Sequence, residues 1–463
     1  MLKQFCICDI PQCIVRPWKR RRAGALVLVA VMGVGVARLG RSQSTDTATT
    51  ASQSIPPTYS VLYSFTGGSD GGYPYSPVIE DSAGNFYGTT VGGGTSNPDN
   101  CSYYGQSGCG VVFKLDTAGN QTVLYSFTGE ADGAAPSFGG LLRDNAGNLY
   151  GATTAGGTAG ICGGIGGGPC GNGVLFKLDT AGNETVLHVF TYAEGVWPNA
   201  GLIQDSAGNL YGGSPDVPAV PEPFGPYQYG GVFKLDTVGN LTVLHTFSDD
   251  PVADGANPSL IRDSAGNLYG TARKPDGKVF KLDAAGNYSV LHNFTGGADG
   301  RLPSAGLIRD EAGRLYGTTT IGGIYNAGVV FKLSPEGEET VLYSFTGGAD
   351  GGFPSAGLIW DRAGNIYGTT SAGGANTSNC SINGQTGCGV VFKLDRAGKE
   401  TVLHTFTGGA DGGGPNAALM MDSSGNLYGT TVNGGDHNFG VVFKLTLRAE
   451  RQGTEDHHDR SST

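Results

Sequence analysis

VLYSF (Val61–Phe65) stands at the head of a repeat with nothing of its own kind before it, and GVVFKL (Gly440–Leu445) stands at the foot with nothing of its own kind after it. Inside the repeat these two segments are neighbours: Gly389–Asp395 is GVVFKLD and is followed by TVLHTF at Thr401–Phe406. The last copy therefore lacks the segment that the first copy has to spare. A linear chain with ends that complement each other in this way describes a closed ring.

The repeat itself is read from self-similarity. The phenylalanine of the VLxxF segment recurs at Phe65, Phe127, Phe190, Phe247, Phe294, Phe345 and Phe406, at intervals between 47 and 63 residues. A solenoid would hold its period more tightly. Each copy carries three further apolar segments, of the types AGLIRD, NLYGTT and GVVFKLD. All are rich in Val, Ile, Leu, Tyr, Phe and Thr and bounded by Gly, Asp and Asn, the pattern of strands. No stretch after residue 40 has the i, i+3, i+4, i+7 apolar spacing of a helix.

The turns fix the pairing. Asp-x-Ala-Gly-Asn or a close variant follows the AGLIRD-type segment in all seven copies, from Asp81–Asn85 to Asp422–Asn426. A second set follows GVVFKLD, from Asp116–Asn120 to the degenerate Ser334–Glu338 and Asp395–Lys399. An aspartate accepts from backbone N–H groups two residues on, and the glycine supplies positive φ, so these are tight hairpins. A calcium loop needs several oxygen ligands at alternate positions, and only one aspartate recurs here. Each copy is then an antiparallel meander of strands a (AGLIRD), b (NLYGTT), c (GVVFKLD) and d (TVLYSF). The a–b and c–d turns lie at one end, and the b–c and d–a connections at the other.

These features predict an all-β chain: a seven-bladed β-propeller of four-stranded antiparallel blades over residues 58–446, closed by pairing the N-terminal strand with the last blade. A pair of β-sandwiches would not need a uniform unit seven times, and an open solenoid would not need complementary ends. The composition agrees, because glycine is 82 of 463 residues yet falls at fixed places in each copy, and charged residues are only 15%. The Tyr of YGTT and the Phe of FKL are expected to fill the layers between blades.

Residues 1–41 read as a signal peptide or an N-terminal anchor: Lys19, Arg20, Arg21 and Arg22 precede an uncharged run from Ala23 to Ala37. Fifteen residues suit a signal-peptide core better than a membrane span of about 20. Residues 42–57 read as a Ser/Thr-rich linker and 447–463 as a disordered polar tail. The predicted location is therefore outside the cytoplasm: secreted, on the cell surface or in the periplasm.

Cysteine placement supports export independently. Beyond the leader, six cysteines form three equally spaced pairs, Cys101/Cys109, Cys162/Cys170 and Cys380/Cys388, each within the b–c loop of one blade. They predict three local disulfides in an oxidising compartment. Each would close a nine-residue loop, worth about 2.6 kcal/mol at most from chain entropy. Zinc is the rival reading, but two cysteines with no nearby histidine cannot supply four ligands. Long loops stapled in this way, with Tyr103 and Tyr104 among their residues, are the leading candidate for a recognition surface.

The formal net charge is −11. Cleavage after Ala37 takes six basic residues and one acidic one from the 29 and 40 of the whole chain, leaving about −16. That excludes nucleic acid as a partner and leaves membrane contact only to an uncleaved anchor. The d–a connections carry Asp70, Asp132, Asp254, Asp299, Asp350 and Asp411, with Glu194 near the equivalent place in the third copy. Such a rim could hold a cation, Ca2+ being the one cofactor the sequence suggests, or a polyol. The competing reading has each aspartate capping its own turn.

The search for a catalytic constellation mostly fails. His188, His245, His292 and His404 occupy the strand d position that holds Tyr63, Tyr125 and Tyr343 in other copies, so they are alternates of one packed residue. His437, beside Asp436, is the one unrepeated histidine of the ring. GxSxG, HExxH and P-loop motifs do not occur, and no catalytic residue is nominated.

Through VLYSFTGGADGGFPSAGLIWDRAGNIYGTT (Val341–Thr370) and GVVFKLDRAGKETVLHTFTGG (Gly389–Gly409) the chain resembles the GloVer class of bacterial extracellular tandem repeats across almost all of residues 58–445. More loosely, GLIxDxAGNLYGTT followed by VFKLD is similar to NHL-type propeller repeats, in which the corresponding hairpin forms the inner two strands. The resemblance implies a secreted or surface-attached repeat protein and carries no established activity or binding residues. The expected function is a monomeric, non-enzymatic propeller that binds a carbohydrate or protein partner through its stapled loops. The alternatives are a hydrolase, lactonase or lyase with a metal at the acidic rim, and a structural spacer of the cell envelope.

Overall fold

Gly317 and Phe331 show how one blade is built. They are direct partners on strands b and c of blade five, and a methyl group on Gly317 would come within 2.7 Å of the phenyl ring. The same pair recurs in all seven blades, from Gly88 with Phe113 to Gly429 with Phe443. The glycine of YGTT is therefore the seat of the phenylalanine of VFKL.

The computed structural model describes residues 56–95, 101–103, 106–136, 138–157, 171–191, 194, 197–199, 201–214, 230–247, 260–273, 276–374, 380–382 and 385–447. The predicted leader, most of the linker and all but the start of the tail lie outside the described residues. No α-helix occurs among them. Strands a to d run Ile79–Glu80, Phe86–Thr90, Val111–Leu115 and Gln121–Ser126 in blade one, and Leu142–Arg143, Leu149–Ala155, Val174–Leu178 and Glu184–Val189 in blade two. Blade three is Ile203–Gln204, Leu210–Ser214, Gly231–Leu235 and Leu241–Thr246; blade four is Ile261–Arg262, Leu268–Ala272, Lys278–Leu282 and Tyr288–Asn293. Blade five is Ile308–Arg309, Leu315–Thr319, Val329–Leu333 and Glu339–Ser344; blade six is Ile359–Trp360, Ile366–Thr370, Val390–Leu394 and Glu400–Thr405. Blade seven takes Met420–Met421, Leu427–Thr431 and Val441–Thr446 from the end of the chain and Thr58–Ser64 from its beginning.

Closure is antiparallel, from Thr58 opposite Thr446 to Ser64 opposite Val441. The seventh blade then repeats the others in detail. In each blade the c–d ladder slips at one point, so that a leucine is the extra residue on strand d: Leu342 in blade five, Leu62 in blade seven. Such a bulge bends and twists the outer strand. The phenylalanine after strand d donates its backbone N–H to the glycine before strand c, Phe65 to Gly440 at 3.0 Å and Phe345 to Gly328 at 3.0 Å.

The core lies between blades. The phenylalanine after strand d of each blade meets the phenylalanine of strand c in the next, edge to face. The seven pairs, Phe65–Phe113, Phe127–Phe176, Phe190–Phe233, Phe247–Phe280, Phe294–Phe331, Phe345–Phe392 and Phe406–Phe443, have centroids 5.1–5.4 Å apart. The pair that joins blade seven to blade one is equivalent to the rest. Edge-to-face pairs add about 0.5–1.5 kcal/mol each beyond their burial.

Two expectations are refined. Strand a is not five to seven residues long but two in every blade, because it has strand b on one side only and is entered through a proline such as Pro303 or Pro354, which donates no N–H. The tyrosine of YGTT is a seam residue with a second duty: its hydroxyl donates to the aspartate of its own a–b turn in all seven blades, at 2.9–3.2 Å.

Candidate functional site

The d–a and b–c connections share one face of the ring and are laced together across blades. Tyr73, Ala135, Trp197, Leu302 and Phe353 each precede a proline and take φ of 50–58°, a left-handed conformation that is costly before proline. Each donates its N–H to a carbonyl in the b–c loop of the preceding blade, as Leu302 does to Asp276 and Phe353 to Ala327, both at 2.8 Å. The strained residues are thus stitches between blades.

Two stapled loops are described, and both disulfides form: Cys101–Cys109 and Cys380–Cys388, with Cα separations of 5.2 and 5.1 Å. Each loop adds a small hairpin, Ser102–Tyr103 with Gln106–Ser107 and Ser381–Ile382 with Gln385–Thr386. Cys162, Cys170, Tyr104 and the side chain of Tyr103 lie outside the described residues. The bridges sit in the stitching layer: Cys109 accepts from Ala135 N–H and Cys388 from Gly414 N–H, each at 2.8 Å. In blade seven that place belongs to Phe439, whose carbonyl accepts from Tyr73 and whose ring packs edge-on against it at 5.5 Å.

The acidic rim residues are engaged by their own loops. Asp70 accepts from Thr66 N–H at 2.8 Å, from the Thr66 hydroxyl, and from Tyr63 Oη at 3.0 Å. Asp132 and Asp350 do the same with Thr128 and Tyr125, and with Thr346 and Tyr343. Asp299 holds Thr295 through backbone and hydroxyl, and Asp411 holds Thr407. Glu194 takes the same role in blade three, accepting from Thr191 and standing 3.2 Å from His188 Nε2. Asp254 lies outside the described residues. Among the described residues no three His, Cys, Asp or Glu side chains gather as metal ligands.

Burial, reinforced by Asp70, pushes the Tyr63 hydroxyl up to about 12. The four histidines do occupy the tyrosine position, each opposite the second residue of strand c, as His404 opposite Val391 and Tyr343 opposite Val330. Burial lowers the pKa of His292 and of His404, which stacks on Tyr59 at 3.9 Å.

Two features were not singled out in the sequence. Ile324 and Tyr325, in the short b–c loop of blade five, are 75% and 60% exposed on the stapled face. Their signal was an apolar pair inside a glycine-rich turn, GGIYNAG (Gly322–Gly328). On the opposite face, where the a–b and c–d turns lie, blades four to six line an open depression of about 510 Å3 at the ends of strands a, and a groove of about 870 Å3 lies between blades five and six.

The ring, its seven matched seams and its laced loop face define a seven-bladed β-propeller. The chain belongs to the Gloeobacter/Verrucomicrobia repeat family, whose model matches residues 35–212, 100–272, 165–382 and 276–462. No curated protein matches the chain in sequence. Among solved structures it is similar to the gluconolactonase XC5397 from Xanthomonas campestris, at 13% identity over 86% of this chain and 96% of that one, with a TM-score of 0.39. It is also similar to the extracellular domain of BT4673, assigned as a one-component system, from B. thetaiotaomicron, at 12% identity over 85% of this chain and 40% of that one, with a TM-score of 0.49. These likenesses concern the fold and bring no activity to this chain.

Proposed function

We propose that this propeller is an exported, non-catalytic binding or scaffold protein that recognises a carbohydrate or protein partner through the face carrying its b–c loops. The observation that carries the reading is the pair of disulfide-closed hairpins added to an otherwise uniform blade. Ordering a long glycine-rich loop costs conformational entropy, and a covalent staple with its own two-stranded hairpin is spent on fixing a surface shape. Exposed Ile324 and Tyr325 supply apolar and aromatic contact area on the same face. The two disulfides also support an oxidising compartment as the working environment. The hydrolase alternative draws no support from the rim, whose described carboxylates are each held by a threonine of their own loop and, at all but Asp299, by the tyrosine or histidine of the preceding strand d as well.

The test leaves the cysteines in place. Replacing residues 102–107 and 381–386 by Gly/Ser, together with Tyr325→Ala, should lower capture of glycans on an array, or of proteins from the native surface, at least tenfold. The melting temperature should change little. Capture that survives all three changes would show that the partner docks elsewhere.

A further inference from the structure

Blade six alone carries a tryptophan at the end of strand a and an arginine as the second residue of each hairpin turn, and the three meet in one groove. The last residue of strand a is Glu80, Arg143, Gln204, Arg262, Arg309 and Met421 in the other blades and Trp360 here. The second residue of the a–b turn is Ser82, Asn145, Ser206, Ser264, Glu311 and Ser423 elsewhere and Arg362 here. The second residue of the c–d turn is Thr117, Thr180, Thr237, Ala284 and Pro335 elsewhere and Arg396 here. All three line the 870 Å3 groove between blades five and six, with Arg309, Arg314 and Lys332. These positions vary from blade to blade, but three large side chains unique to one blade and gathered on one surface call for a local cause.

Trp360 stands where three other blades carry an arginine. At three seams the arginine at its position lies over the tyrosine of the preceding blade, Arg143 over Tyr87, Arg262 over Tyr211 and Arg309 over Tyr269, at 5.6–5.9 Å. Trp360 instead stands edge-on to Tyr316 at 5.7 Å and keeps 37% of its surface exposed. The arginines of blade six stand instead at its turn tips, Arg362 and Arg396. Arg362 and Arg396 are exposed, and among the described residues neither has an ion-pair partner. Three of the four acids in the groove are committed: Asp310 to Arg314 and Tyr316, Asp361 to Asn365 and Tyr367, Asp395 to the N–H groups of Ala397 and Lys399. Arg309 Nε is buried there without a hydrogen-bond partner.

We propose that this groove binds an anionic oligosaccharide, a short chain of uronate-type sugars. The indole offers a flat apolar platform to a sugar face, and the guanidinium forks of Arg362 and Arg396 fit carboxylates in the two-pronged geometry that lysine cannot supply. A chain with a formal net charge of −11 repels polyanions at long range, so recognition would have to be this local. The site lies on the turn face and is independent of the stapled loops.

The experiment titrates the full-length chain with tetragalacturonate, an uncharged galactose tetramer and a thymidylate tetramer, by calorimetry. Saturable binding of the uronate at least tenfold tighter than that of the neutral sugar, weakening as salt is raised, is the expected result. Arg362→Ser with Arg396→Thr should lower the affinity at least tenfold, and Trp360→Gln likewise. Each of these installs a residue that another blade carries at that position, so the fold is retained, and an unchanged melting temperature checks it. With Trp18→Phe and Trp197→Phe, Trp360 is the sole remaining tryptophan of three, and its fluorescence should respond to the uronate alone. Absence of saturable uronate binding, equal affinity for the neutral sugar, indifference to the reverting variants, or tighter binding of the thymidylate would each overturn the proposal.

Discussion

Gly317 has a fixed neighbour where its side chain would be, and that single contact explains why a glycine sits in the middle of a strand, where it otherwise weakens pairing. The phenyl ring of Phe331 fills the space, and Phe331 in turn meets Phe294 of the preceding blade. Overpacking a core by one methyl costs about 1–3 kcal/mol. Gly317→Ala is therefore expected to cost that much in chemical denaturation, whereas Gly357→Ala, whose added methyl would meet nothing nearer than 3.5 Å, should cost little. Equal losses at the two sites would contradict the packing argument. The glycine and phenylalanine positions were visible in the sequence as repeats. Their contact was not, because it depends on a cross-strand register that no local pattern states.

At the scale of elements, the start of strand d meets the d–a loop of the preceding blade in blades one, two, five, six and seven. Glu184, Glu339 and Glu400 begin strand d in blades two, five and six. Burial, and then the charges of Asp132, Asp299 and Asp350, raise them to about 7. Each has one buried oxygen without a hydrogen-bond partner. In blade one the residue is Gln121, whose Nε2 donates to the Asp70 carbonyl at 3.1 Å. A carboxyl raised in this way contributes stability that is full below its ordinary 4.5 and lost as pH rises through about 7. The turn aspartates run the other way. At Asp81, burial opposes ionisation, but hydrogen bonds from Asn85, Tyr87 and Ala83 prevail and hold it near 2, so its contribution is lost only as pH falls from 3.8 towards 2. His292 and His404, lowered by burial, lose stability on acidification and oppose the glutamates, so the informative quantity is a difference.

The triple variant Glu184→Gln, Glu339→Gln, Glu400→Gln should melt higher than the parent at pH 8, by about 1 kcal/mol or less per half-exposed site, and equally at pH 4. A gap that does not change with pH would refute the assignment. Strand order, the turns and the stapled loops could be read from the sequence because each recurs. The glutamate seams and the blade-six groove could not, since one depends on the twist of strand d and the other on a departure from the pattern.

At the scale of the whole molecule, the closing joint is built as the other blades are. The Phe65–Phe113 contact, the Phe65 to Gly440 hydrogen bond and the Leu62 bulge give the joint made by two distant chain segments the same parts as the six made by local ones. That equivalence was legible in advance from complementary ends. Tyr59, whose hydroxyl donates to the Asp411 carbonyl at 2.5 Å and whose ring stacks on His404, adds a lock at the seam with blade six. An experimental density map of the intact protein, by electron microscopy or diffraction, tests closure most directly. It should show seven sectors around one axis, with Thr58–Ser64 antiparallel to Val441–Thr446 as the outer strand of the seventh. An open rod, a different number of sectors, or residues 58–64 lying away from the last strand would contradict it.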